Sequence, residues 1–332
     1  MNGIFMYDMF YICFISLIME IRIIFMGTSY FSVLSIEKVL KNKYNVLCVV
    51  TTTDKFSIRN KNIFVESAVK KYSILHALPI LQSDDLKDSF FLSIFQKWHT
   101  EIIIIVAFRI IPKIILELPI FGSFNLHPSL LPNYRGAAPI QWVLMNGETK
   151  TGISTFQVDQ NIDKGNLLLQ KKISIKKKEN SGSLFIRLSE IGAYLVIDTL
   201  IIYNYIVLKK QNTNFQFKIA PKLFRCNSKI NWKNTIKNIY NNIRGLSPFP
   251  GSWCILVDNL LNKKVFKIYR ADYLSEKHSK SFGNVEKNKI TLKEGYLLIL
   301  EYQLEGTPPV LVKDFTDKKL GVIAQSVRVL VS

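Results

Sequence analysis

The sequence predicts an α/β chain in which a doubly wound domain with a mainly parallel sheet is followed by a small, OB-like C-terminal β-barrel domain. Three observations carry that expectation. Short β-branched runs alternate with helix-length stretches through the first half of the chain. One such run, residues 102–108, is apolar without a break, the pattern of a strand buried on both faces. Past residue 250, strand-length runs follow one another between turn residues.

The elements follow in order. Residues 21–26 form a first strand ending at Gly27, and a helix continues to about Leu40. Residues 46–50 make the next strand, and helices are expected around residues 65–72 and over 84–98. After the 102–108 strand, Pro112 opens a short helix, since its fixed φ suits a first turn. Residues 121–127 read as another strand, and a helix from Pro139 to Met145 ends at the Asn146-Gly147 turn. Strands at 153–158 and 167–175 flank the loop 159–165, and a long helix covers 183–208 with Ser181-Gly182 at its start. Residues 211–217 are polar without helical spacing, which marks a linker. A helix over 232–243 leads into strands at 265–269, 289–292 and 296–302. The expected organisation is an apolar extension at 1–18 outside the core, an α/β domain at 19–210, a linker at 211–220 and a basic barrel at 221–332.

Composition narrows the function classes. Hydrophobic residues make up 48% of the chain and charged ones 21%, so a sizeable core forms and wholesale disorder is excluded. The net charge of +19 would draw a polyanion, although lysine enrichment from an AT-rich coding sequence produces the same excess. From Pro221 onward there are 19 basic against 9 acidic residues, so much of the charge lies in the last third. Cys13, Cys48, Cys226 and Cys254 form no C-x-x-C pair, and His76, His99, His127 and His278 are scattered, so no metal site is read. The apolar first 18 residues lack the basic start of a secretory leader and contain Asp8, while Met19-Glu20-Ile21-Arg22 reads as a natural start. A soluble, cytoplasmic protein with no membrane partner is expected.

The segment richest in chemistry is Asn125-Leu126-His127-Pro128-Ser129-Leu130-Leu131-Pro132, continuing as Tyr134-Arg135-Gly136-Ala137-Ala138-Pro139-Ile140-Gln141-Trp142. It follows a strand of the α/β domain, where ligands gather at carboxyl ends. Asn125 and His127 stand two apart, so an extended backbone puts both side chains on one face. A carboxamide donor beside an imidazole can stabilise an oxyanion and manage a proton. An isolated Asn-x-His is more often a strand-end Asn and a satisfied histidine, so the surrounding residues must decide.

Those surroundings resemble the N10-formyltetrahydrofolate-dependent formyltransferases, and among them the branch acting on methionyl-tRNA. The resemblance spans about residues 20–330 in separate blocks. Besides the 125–142 segment they include Ile23-Ile24-Phe25-Met26-Gly27-Thr28, Val106-Ala107-Phe108-Arg109-Ile110-Ile111-Pro112 and Asn146-Gly147-Glu148-Thr149. Later blocks are Ala220-Pro221-Lys222-Leu223, Ile230-Asn231-Trp232 and Ile243-Arg244-Gly245-Leu246-Ser247-Pro248. The resemblance implies catalytic roles for Asn125, His127 and Asp163, with Asn125 bonding the oxyanion, His127 stabilising it and moving protons, and Asp163 orienting His127. It implies a folate contact through Ser129, Leu130, Leu131 and Pro132, with Phe108, Arg109 and Ile110 on the folate side. The co-substrate would be 10-formyltetrahydrofolate, with no metal, the acceptor initiator methionyl-tRNA, and the enzyme a monomer.

Two positions depart from that family's pattern. Where it usually has Asp-Thr-Gly-Asp this chain has Asp163-Lys164-Gly165-Asn166, which keeps the carboxylate but places a cation beside it. A neighbouring cation favours the ionised carboxylate. Between Thr51 and Asn62 the family's basic loop loses its prolines and glycines but keeps Arg59 and Lys61, the residues expected to touch tRNA. A nicotinamide dehydrogenase is excluded because Gly27 stands without the further glycines of a dinucleotide fingerprint. Glycinamide ribonucleotide formyltransferases generally lack a second domain. Formyltransferases of nucleotide amino-sugars typically carry Arg-Gly-Arg-Ala-Pro where this chain has Arg135-Gly136-Ala137-Ala138-Pro139. A non-catalytic nucleic-acid-binding relic is opposed by the retained Asn125, His127 and Asp163.

Overall fold

β1 (Arg22–Gly27), α1 (Tyr30–Lys41) and β2 (Asn45–Thr51) open the chain in a computed structural model that describes residues 20–56, 63–213, 216–257, 261–312 and 327–329. The expected extension at 1–18 lies outside the described residues. A two-strand hairpin of β3 (Lys55–Phe56) and β4 (Phe64–Val65) follows, and then α2 (Ala68–Leu75), β5 (Ile80–Gln82), α3 (Ser89–Lys97) and β6 (Ile102–Val106). Side-chain N-caps set these starts: Ser67 accepts from the Lys70 N–H and Asp88 from the Phe91 N–H. The second and third helices therefore begin three to five residues later than expected. Next come α4 (Lys113–Leu116), β7 (Ser123–His127), α5 (Pro139–Met145), β8 (Lys150–Gln157), β9 (Leu167–Ser174) and α6 (Ser181–Ile202).

The first sheet runs β5-β2-β1-β6-β7-β8-β9. Its first five strands are parallel, and β8 joins β7 antiparallel. From β1 the chain winds outward to β2 and β5, then crosses back to β6 and β7, which makes the gap between β1 and β6 the topological switch point. β6 sits at the centre, and each of Ile102, Ile103, Ile104, Ile105 and Val106 is buried. Complete burial of such a side chain stabilises by about 1.5–3 kcal/mol, which explains the unbroken apolar run. The strand ends two residues before the expected boundary because Ala107 takes a left-handed φ of 47°. The Ser32 hydroxyl of α1 donates to the Val106 carbonyl at 2.6 Å, tying the helix to that end of the sheet.

The expected long helix stops at Ile202 and tightens into a 3₁₀ turn, Tyr203–Tyr205. The apolar Val207 that seemed to prolong it is 89% exposed, so no packing holds a further turn.

The second sheet comprises β10 (Ser252–Val257), β11 (Lys263–Ser275), β12 (Asn284–Glu286), β13 (Lys289–Leu292), β14 (Gly295–Leu304), β15 (Val310–Leu311) and β16 (Val327–Val329). β11 pairs with β10 on one side and β14 on the other, so six antiparallel strands close a ring and β15 adds to β14. α7 (Ile236–Gly245), capped by Thr235, contributes Ile236, Ile239 and Ile243 to the core of Phe266, Ile268, Leu297, Ile299 and Tyr302.

The described residues form two compact units, one from within 20–136, 152–173 and 186–219, the other from within 137–151, 174–185 and 220–329. Two segments of the expected 19–210 domain, 137–151 and 174–185, thus pack with the barrel unit, and most of the expected linker, 211–219, belongs to the first unit. Among the described residues no helix is long and apolar enough to cross a membrane.

Candidate active site

β7 delivers the first two groups. Asn125 pairs in register with Ile105 of β6 and Phe156 of β8, and His127 is the last residue of the strand. The period-2 alternation puts both on one face at the carboxyl end of the sheet. The Asn125 carboxamide oxygen is buried with no hydrogen-bond partner among the described residues. A buried polar atom in that state requires a reason, and a ligand group is one.

His127 is 5% exposed and its ring is held by backbone. Nε2 lies 2.9 Å from the Tyr134 carbonyl oxygen. A carbonyl only accepts, so Nε2 carries the proton and Nδ1 is the nitrogen that can gain or lose one. Tyr134 turns its backbone through a φ of 62° at this point, and such strain in a non-glycine residue gathers at functional sites.

Nδ1 faces Asp163 Oδ2 at 3.8 Å. That distance exceeds a hydrogen bond, and the ring's hydrogen bond here is the one to the Tyr134 carbonyl. Asp163 Oδ2 itself accepts the Gly136 N–H at 2.8 Å. The Asp163 backbone is also left-handed, with φ 54°, and two residues on Gly165 presses against the end of β8. The imidazole of residue 127 and the carboxylate of residue 163 thus face each other inside the first unit, and Asn125 stands two residues before His127 on the same strand. Lys164, the departure from the expected pattern, is exposed.

The loop after His127 is rigidly held. The Ser154 hydroxyl of β8 donates to the Ser129 carbonyl at 2.6 Å and accepts the Leu131 N–H at 3.2 Å. Gln170 Nε2 donates to the Leu131 carbonyl at 3.0 Å and to Ser154 Oγ at 2.9 Å. Ser129, Leu131 and Pro132 are buried and Leu130 half-buried. Phe108, Arg109 and Ile110 follow β6, the parallel neighbour of β7, at the same edge of the sheet. Arg109 donates to the Asp84 carbonyl at 2.6 Å and to the Ser83 carbonyl, while Ile110 is 75% exposed. Arg59 and Lys61 lie outside the described residues.

Sequence reasoning missed Tyr134, Gly136, Ser154 and Gln211 as parts of this assembly. Three act through backbone or as second partners. Gln211 falls in a stretch whose only local signal is polarity. Among the described residues no group of three or more His, Cys, Asp or Glu could hold a metal.

An imidazole, a carboxylate and a carboxamide at the carboxyl edge of a doubly wound sheet are groups that acyl-type transfer can use, and here an antiparallel barrel follows that sheet in the chain. The chain belongs to the formyl transferases: the formyl transferase family matches residues 19–200, and the formyl transferase C-terminal domain matches 222–320. It is 44% identical over 294 residues to the methionyl-tRNA formyltransferase of Flavobacterium johnsoniae, covering 86% of this chain and 92% of that one. The methionyl-tRNA formyltransferase of Azobacteroides pseudotrichonymphae is 38% identical over 308 residues, covering 89% and 94%. Its fold is similar to that of an N-formyltransferase from Helicobacter canadensis, solved with folinic acid and dTDP-3-aminofucose. That match has a TM-score of 0.62 at 23% identity and covers 84% of this chain and 98% of that one.

Proposed function

We propose that this enzyme transfers the formyl group of 10-formyltetrahydrofolate to the free amino group of methionine on the initiator tRNA, for translation initiation. One observation carries the proposal. His127 Nδ1 and the Asp163 carboxylate face each other at 3.8 Å at the end of the strand that also carries Asn125, in a chain whose relatives across both domains bear the methionyl-tRNA formyltransferase name. The methionine amine attacks the formyl carbon, a C–N bond forms, and the carbonyl electron pair moves onto oxygen. Asn125 donates to that oxyanion through Nδ2, and His127 stabilises it by charge once it has taken up the amine proton. The amine proton passes to the His127–Asp163 pair at Nδ1. Collapse of the intermediate breaks the bond to N10 of the folate, and N10 receives that proton.

The folate lies against the backbone of Ser129, Leu130, Leu131 and Pro132, with Phe108, Arg109 and Ile110 beside it. A pinned loop of this kind suits a flat heterocycle, since its shape is fixed before the ligand arrives. Arg59 and Lys61 contact the tRNA, and the basic residues of the barrel unit follow its phosphates. The enzyme works in the cytoplasm as a monomer. An amino-sugar acceptor is not favoured, because relatives at 34–44% identity carry the methionyl-tRNA name. Purified protein supplied with 10-formyltetrahydrofolate and charged initiator tRNA is expected to formylate the methionine. Binding of tRNA without transfer would leave only the non-catalytic relic.

A further inference from the structure

The polar stretch after α6 is fastened to both loops that build the site. At its start, Leu167 and Lys209 exchange backbone hydrogen bonds of 2.8 and 3.0 Å, which anchors it to the strand that leaves the Asp163 loop. At its far end the Tyr134 N–H donates to the Lys218 carbonyl at 2.5 Å, Asn133 Oδ1 accepts the Lys218 N–H at 3.1 Å, and Arg135 bridges Ile219. Near the start sits Gln211, 5% exposed.

All four hydrogen-bonding positions of the Gln211 carboxamide are engaged. Nε2 donates to the Asp163 carbonyl at 2.9 Å and to the Gly165 carbonyl at 2.8 Å. Oε1 accepts from Arg135 Nε at 3.2 Å and Nη2 at 2.6 Å. An amide has two donors and two acceptor sites, so none is left over. Arg135 is itself buried, with the Phe217 ring 4.8 Å from its guanidinium carbon. Burial lowers the Arg135 pKa, and the nearby Asp163 and Asp159 carboxylates pull it back up. One side chain therefore joins the loop carrying Asp163 to the loop whose Tyr134 carbonyl holds His127.

We propose that Gln211 is a positioning residue of the transfer reaction, fixing the Asp163 loop against the 134–136 loop so that the carboxylate stays opposite His127 Nδ1. The proposal rests on the catalytic role of Asp163 given above. Two substitutions test it. Gln211→Glu keeps acceptors for Arg135 but replaces both donors that face the 163 and 165 carbonyls. Gln211→Asn keeps the amide but shortens its reach. Steady-state kinetics, the pH dependence of kcat and thermal unfolding are measured on each.

Gln211→Glu is expected to fold, held by its ion pair to Arg135, with KM for 10-formyltetrahydrofolate nearly unchanged. Its kcat should fall roughly 10²-fold, the cost of displacing a catalytic group by about 1 Å. The pH profile of kcat should shift, since the carboxylate no longer meets the ring at the same distance. Gln211→Asn should show the same two changes to a smaller extent, and it decides the matter if the Glu variant does not fold. Wild-type kcat in a folded variant would overturn the proposal, as would a lower kcat with an unmoved pH profile, which marks a merely structural role. Asp163→Asn separates the two ideas: full turnover there removes the catalytic role of Asp163, whatever the Gln211 variants do.

Discussion

Gly165→Ala tests how tightly the carboxylate must be placed. Gly165 is buried against the end of β8, and a Cβ there would lie 1.6 Å from the Gln157 carbonyl oxygen and 2.9 Å from its carbon. Side-chain carbons do not approach other atoms within 3.0 Å, so residue 165 and the strand must part by about 1.4 Å. Both neighbours are backbone, and Gln157 is further tied by its N–H to the Asn166 carbonyl at 2.8 Å. The displacement therefore passes into the loop, and Asp163 is two residues away. A misplacement of about 1 Å costs on the order of 10²-fold in rate, or about 2.7 kcal/mol of barrier. Overpacking should also cost about 1–3 kcal/mol of stability. Formyl-transfer kinetics beside thermal unfolding would separate the two effects, and Gly306→Ala is the control. Gly306 has φ 79° and nothing within 4 Å of an added Cβ, so Ala there strains the backbone and should leave kcat unchanged. A folded Gly165→Ala enzyme with wild-type kcat would refute the reasoning.

The other expected outcomes concern chemistry, binding and stability. Asp163→Asn should abolish transfer while leaving folate affinity, measured by equilibrium titration, nearly intact; normal turnover would remove it from the mechanism. Lys164→Thr should change kcat by no more than about twofold, because the exposed side chain lies away from the bonds that fix the loop. A tenfold change would place Lys164 in the reaction. Affinity for tRNA should fall steeply with salt, because the last third of the chain carries 19 basic against 9 acidic residues; a flat response would contradict phosphate-led binding. The Lys178 ammonium hydrogen bond lowers the Asp272 pKa, so this carboxylate stabilises the fold above its unfolded value of about 3.9. That contribution is lost as pH falls through the depressed folded value. Asp272→Asn should therefore lower Tm at pH 7 by an amount that shrinks as pH falls below about 3.9, and a deficit that does not change with pH would point to packing instead.

What the sequence revealed depends on whether the cause was local. Residues 102–106 announced their strand because burial on both faces demands an apolar residue at every position. Ile80–Gln82 did not, since three half-buried residues become a strand only by pairing with β2. Ser252–Val257 was also missed: it alternates buried and half-buried residues over six positions and includes Ser252 and Cys254, which carry little apolar signal. β11 was read as five residues where it has thirteen, because its polar start at Lys263-Lys264 is held by pairing with β10 and its end, from Arg270 to Ser275, by pairing with β14. Asn125 and His127 were legible as a pair through the two-residue period of a strand. Asp163 could be assigned only through resemblance, as no local pattern links it to His127.

Gln211 shows why the remainder was out of reach. Three bonds reach the Asp163 loop from outside, the Gly136 N–H to the carboxylate and Gln211 Nε2 to the 163 and 165 carbonyls, beside the turns that Asp159 Oδ1 and the Asn161 carbonyl close within it. A left-handed Asp163 costs free energy by itself and persists only because these partners over-determine it. The loop sequence therefore encodes only part of its own shape, and Lys stands at 164 on the solvent side. The same logic makes the site vulnerable at a distance. Removing one buried amide leaves a guanidinium and two carbonyls unpaired at once, where replacing an exposed residue beside the carboxylate leaves none.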